Sequence, residues 1–185
     1  MYTFKIPEAE IAIKDYLQRH PNSKVAIKAL NGDCPSMMAL YEQLCGPREF
    51  DGGPSDNALQ IIYEAYNRKY PPAMVRLAQV EMCDEFKWWP EGLMTLIEAY
   101  QLGSQEALTE LKNAWHNTGR DIDNRRKSGE ELDQYEGFTL AFFYYYGIDV
   151  SKDESLALRL FESAAKHGCE EAQKILETIT PKEKL

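Results

Sequence analysis

The residues of this chain that could carry chemistry are three histidines, four cysteines and a few charge clusters among 185 residues. A protein metal site needs His, Cys or carboxylate ligands at helical or hairpin spacing, as in H-E-x-x-H. His20, His116 and His167 have no such neighbours. His20 precedes Pro21, His167 precedes Gly168, and His116 falls near the end of its own helical stretch, all places where a cation suits a helix C-terminus. A cysteine nucleophile needs a nearby base and a lowered pKa. Cys34, Cys45, Cys83 and Cys169 lie far apart without a C-x-x-C pair, and His167-Gly168-Cys169 reads as a turn. Glu130-Glu131-x-Asp133 and Cys83-Asp84-Glu85 could pair carboxylates for acid–base work, but solvated helix faces and helix starts explain them as well. Asp51-Gly52-Gly53-Pro54 lacks the Lys and Ser/Thr of a phosphate-binding loop. Arg120, Arg125, Arg126 and Lys127 stand among Asp121, Asp123, Glu130, Glu131, Asp133 and Glu136, with no interleaved aromatic. That pattern reads as a self-compensating polar loop. No catalytic residue, metal or cofactor is expected from these groups.

Charge and composition narrow the class of partner. Lys and Arg total 21 against 30 Asp and Glu, a net −9, which argues against a nucleic-acid backbone or an anionic membrane and permits a basic protein. Hydrophobic residues make up 44%, enough for an ordinary folded chain. The N-terminal residues carry no apolar signal-like run, and the longest apolar stretch, Leu140 to Tyr146, is far short of the roughly 18 residues that span a bilayer. A cytoplasmic protein with reduced thiols is the expectation.

The strongest pattern is a repeat. A small residue, a turn position, a second small residue and a leucine recur at four-residue spacing: Ala164-Gly168-Ala172-Leu176, Ala99-Gly103-Ala107-Leu111, Ala65-Lys69-Ala73-Leu77 and Lys28-Gly32-Ser36-Leu40. Phe161, Leu96, Ile62 and Val25 each stand three residues before the first member. The cadence describes two helices meeting at a tight turn, with glycine in the left-handed conformation that ends the first. One turn between Gly103 and Gly168 is missing, and the polar stretch from Thr118-Gly119 to Ser128-Gly129 is where it should be. Helices are expected over 7–19, 23–31, 35–45, 55–68, 71–83, 90–103, 104–117, 131–146, 152–167 and 169–178, opened by Pro7, Ser23, Ser55, Pro71-Pro72, Pro90 and Ser151. No stretch alternates long enough for a strand.

Within the last copy, Leu140-Ala141-x2-Tyr144-x2-Gly147-x-Asp149-Val150-x2-Asp153-x3-Ala157 and then Ala164-Ala165-x2-Gly168-x3-Ala172 resembles a Sel-1-like repeat, a relative of the tetratricopeptide repeat. Ala141 and Asp149 replace two glycines of that pattern. By residue identity the resemblance covers 136–178, and by spacing 23–178. It implies an all-α, right-handed α/α solenoid of antiparallel helix pairs over residues 1–185. In that reading 1–22 is an N-terminal capping helix, 23–178 hold four to five helix-pair repeats, 118–130 are irregular and 179–185 form a tail. Such proteins are mostly adaptors and scaffolds, and they share no catalytic residues.

The family's register places Leu140, Ala141 and Tyr144 toward the core. Phe142 and Tyr146 then lie on the opposite side of the helix, near 240° and 280° by ~100° per residue. Two aromatics on that side make a partner-binding patch on the concave face, a segment buried against 118–130, or a locally thick core. Equivalent offsets add Thr139, Arg76, Gln79, Glu110 and Asn113 to the expected binding surface. Trp88-Trp89-Pro90 staples the following helix or contacts a ligand. The expected function is non-enzymatic binding of a partner protein with a basic surface, one form being an inhibitor, as a bacterial immunity protein is for a toxin. A self-associating structural module, and an enzyme with a site near 118–130, are the alternatives. A monomer or weak homodimer is expected.

Overall fold

The structure is a computed structural model that describes residues 3–45, 55–83 and 89–179. The loops at 46–54, with Asp51-Gly52-Gly53-Pro54, and at 84–88, with Asp84, Glu85 and Trp88, lie outside the described residues, as does the tail from 180 onward. Every regular element among the described residues is helical: α1 (Pro7–Arg19), α2 (Lys24–Leu30), α3 (Cys34–Cys45), α4 (Asp56–Asn67), α5 (Pro71–Cys83), α6 (Trp89–Gln101), α7 (Gln105–Ala114), a π-helical turn (Trp115–Gly119), α8 (Arg120–Lys127), α9 (Gln134–Tyr146), α10 (Glu154–Lys166) and α11 (Glu170–Ile179).

Local chemistry accounts for the starts. The hydroxyls of Ser23, Ser55 and Ser104 accept from the backbone N–H three residues on, capping α2, α4 and α7. Asp33 caps α3 through the Ser36 N–H, and Asp133 with Glu136 forms a capping box at α9. The α10 cap is Asp153, not the expected Ser151. Asp153 accepts from the Leu156 N–H, and a carboxylate suits the helix dipole better than a hydroxyl.

The helix ends show the repeat more plainly than the sequence does. Gly32, Lys69, Gly103, Gly129 and Gly168 all have positive φ. Each sits in the same hydrogen-bonded turn, in which the next residue's N–H reaches the carbonyl five residues back: Asp33 to Lys28, Tyr70 to Ala65, Ser104 to Ala99, Glu130 to Arg125 and Cys169 to Ala164, at 3.0–3.2 Å. Gly129 is therefore the turn whose sequence cadence had worn away. Most of segment 118–130 is regular, residues 120–127 forming α8. From Trp115 through Lys127 the backbone stays helical, α7 running through the π-turn into α8.

The chain divides into two compact units, Met1–Leu77 and Ala78–Leu185. In the first, α1 packs on α2 and α4, α2 on α3, and α3 on α4. Its core is rich in alanine (Ala9, Ala12, Ala26, Ala29, Ala58, Ala65), which lets the helices approach closely around Ile13, Met37, Leu40, Ile61 and Ile62. Buried Glu64 joins α4 to the N-terminal segment: it accepts from the Ile6 N–H at 2.7 Å and from Arg68 at 2.9 Å, and Arg68 reaches the Thr3 carbonyl.

In the second unit α9 is the central helix, packing on α6, α10, the π-turn and α8. All residues from Gly137 to Tyr144 are buried, as befits a helix apolar on every side. Phe138 meets Phe161 edge-on at 5.4 Å and Phe142 at 6.4 Å, while Trp115 packs on Phe143 and Tyr144. The π-turn has a packing reason. It lays the Trp115 ring over Gly119, where a Cβ would come within 2.5 Å of the ring and 3.2 Å of Phe143.

Candidate partner-binding surface

The structure brings together two of the expected surface residues. Gln79 of α5 donates to the Glu110 carboxylate of α7 at 3.1 Å, both half-buried. Asn113, one turn further along α7, is exposed. Arg76, in the first unit, lies with its guanidinium 5.8 Å from the Tyr41 ring.

Two other expected residues are corrected. Phe142 and Thr139 are each 0% exposed, so neither presents a side chain to a partner. Phe142 packs on Phe138, Phe143 and Tyr146. The Thr139 hydroxyl is buried without a protein partner. The physical reason is the central position of α9: the side expected to face a groove is covered within its own unit. Tyr146, at the helix end, stays half-buried, its ring tilted 4.7 Å from that of Phe142 and edge-on to that of Tyr145 at 5.0 Å.

The basic cluster is compensated as expected, but on a helix. Arg125 pairs with Glu130 at 3.0 Å and with Glu136. Arg126 and Lys127 both pair with buried Asp123, at 3.0 and 2.6 Å. Burial alone would raise the Asp123 carboxyl, but hydrogen bonds from Lys127, Arg126 and Tyr144 outweigh it and hold the group below the usual carboxylate range.

Two arrangements escaped the sequence. His116 of the π-turn bonds Asp149 at 2.8 Å, and Lys112 reaches the same carboxylate at 3.4 Å. Asp149 holds a φ of 52° where the repeat pattern has glycine, and the His116 bond is the main cause of its lowered pKa. That glycine replacement was the available signal. The second arrangement is the carboxylate pair Glu81 and Glu91, each with one buried oxygen lacking a partner. Burial, with help from Glu91, pushes Glu81 up to about 7. Burial also raises Glu91, with Glu171 adding to it. No four-residue cadence marks either glutamate.

The cysteines are unpaired. Burial pushes the Cys34 and Cys169 thiols up, the wrong direction for a nucleophile. Among the described residues no three His, Cys, Asp or Glu side chains group as metal ligands, and no helix is long and apolar enough to cross a membrane.

A shallow cleft of about 360 Å³ opens over the start of α9, bounded by the end of α8, the 130–133 turn and the last turns of α10. No protein-family model matches the chain, and a search of the curated proteins returns no match.

Proposed function

We propose that this chain is a degenerate Sel-1-like array, a right-handed α/α solenoid, that binds a partner protein with a basic surface and catalyses no reaction. The observation that carries this reading is the turn repeated five times with one hydrogen-bond pattern. A helix pair of that kind cannot cover its own apolar face, so pairs stack, and stacked pairs present extended surfaces for other chains. The net −9 then favours encounter with a cationic surface and disfavours an acidic one. Inhibition of a basic toxin is one form this takes.

The test is capture on the immobilised full chain from the extract of its own cells, followed by binding measurement with the purified partner. A stoichiometric complex whose association slows as salt rises supports the reading. An acidic partner, or association indifferent to salt, overturns it. The second reading, self-association, is favoured by one observation: Ile27 of α2, 44% exposed, lines an open depression with Leu17 of α1 and Pro21 of the turn between the two helices. Light scattering decides it, with a dimer that Ile27→Lys disperses as the positive result.

A further inference from the structure

We infer that the cleft over the start of α9 receives a lysine or arginine side chain of the basic partner. The inference rests on the binding-module reading and names the place on this chain where it acts.

The walls suit both halves of such a side chain. Leu132 and Leu160, half-buried, and the buried Gly137 and Ala164 make an apolar floor for a methylene stem. Glu131 and Asp133 are exposed at the rim. The other charges of the lining are already engaged, Glu130 by Arg125 and Arg126 by Asp123, and Asp133 accepts from the Tyr135 and Glu136 N–H groups through one oxygen, so Glu131 is the rim carboxylate on which the contact turns. His167 turns its Nδ1 back to the Ser163 carbonyl of its own helix. With Arg126 against Glu130, Glu131 and Asp133, the lining carries a formal 1 − 3 = −2. The carboxyl end of α10 adds partial negative charge there, and the positive end of α9 is already met by the Asp133–Glu136 capping box.

Gly137 is a second, independent indication. It lies inside a helix, where glycine is less stable than alanine. Its φ is not positive, and a Cβ there would meet only Ala164 Cβ at 3.7 Å and the Leu160 carbonyl at 4.0 Å, ordinary contacts. Neither packing nor backbone geometry demands glycine. Its absent side chain lowers the cleft floor.

The experiment is an amide chemical-shift titration of the ¹⁵N-labelled full chain with acetyl-Gly-Arg-Gly-Arg-Gly-amide, its lysine counterpart and its glutamate counterpart. Saturable shifts confined to residues 130–137 and 160–167, from the basic peptides alone, are expected. Glu131→Lys, a surface change that leaves the core alone, should weaken that binding about tenfold by reversing one rim charge, and Gly137→Leu should abolish it by filling the floor. Shifts clustered elsewhere, no saturable shift, or a Glu131→Lys protein that titrates like the wild type would each overturn the cleft assignment. The two readings fail separately. A captured partner held equally by wild type and Glu131→Lys removes the cleft and leaves the binding module. Failure to capture a basic partner removes the module while the peptide titration still decides the cleft.

Discussion

Phe142 and Glu81 behave as structural residues with measurable signatures. Phe142 is enclosed by aromatic neighbours, so truncation opens a cavity in the centre of the second unit. Phe142→Ala should cost about 3–5 kcal/mol in urea denaturation. Tyr146→Ala, at a half-buried site, should cost clearly less. A Phe142→Ala protein of unchanged stability would contradict the packing described. Glu81 makes the opposite kind of contribution. Its folded pKa of about 7 lies above its ordinary 4.5, so between those values the folded chain binds more protons than the unfolded chain. Stability from this group is complete at low pH and falls as pH rises through that window. Above it, the ionised and half-buried carboxylate destabilises by roughly 2 kcal/mol, allowing for its partial exposure. Glu81→Gln should therefore be the more stable protein at about pH 8 and nearly equal to wild type at about pH 4. Denaturation midpoints across that range read it directly, and a variant no more stable at the alkaline end would refute the effect.

At the scale of elements, the turns are the chain's most regular feature, and they make graded predictions. Lys69 occupies with φ 57° the position that glycine holds in the other four turns. Lys69→Gly should stabilise by about 0.5–1 kcal/mol, the left-handed strain relieved less the entropy of the freer unfolded chain. Gly129→Ala should destabilise by about 1 kcal/mol through backbone strain alone, because nothing lies within 4 Å of its Cβ position. Gly119→Ala should cost about 1–3 kcal/mol for a different reason, collision with the Trp115 ring. Thermal melts of the three variants test the order. These elements also show how far the sequence could be read. The α1 and α5 boundaries follow from prolines and apolar spacing, which act within a few residues, whereas α9 starts at Gln134, three residues later than its spacing suggests, because Asp133 caps it. The sequence of α8 reads as a polar loop because the helix buries only Ile122 and Asp123, too few apolar positions to set a helical period. It persists because the π-turn feeds it as a continuation of α7 and because its charges find partners on itself and on α9.

For the whole molecule, the surplus of carboxylates sets the long-range behaviour. Association with a basic partner should slow by an order of magnitude or more as ionic strength rises from about 0.01 to 0.15 M, since the screening length shrinks from ~30 to ~8 Å. Stopped-flow rates over that range check it, and a flat profile would remove electrostatic steering. The all-helical class, ten of the helices and four of the five turns are legible in the residues alone, because propensity, capping and repeat spacing are local properties of the chain. So is the acidic balance, which is a sum over residues. The tertiary structure decided what the aromatics of α9 are for. A helical register tells which residues share a side, but not whether a second helix covers that side, and in this chain α6, α8, α10 and the π-turn pack on α9 so that residues 137–144 are buried on every side. The same holds for the cleft at Gly137. Its floor comes from α9, α10 and the 130–133 turn and its rim from that turn, and only folding sets Leu160 and Ala164 beside a glycine more than twenty residues earlier in the chain.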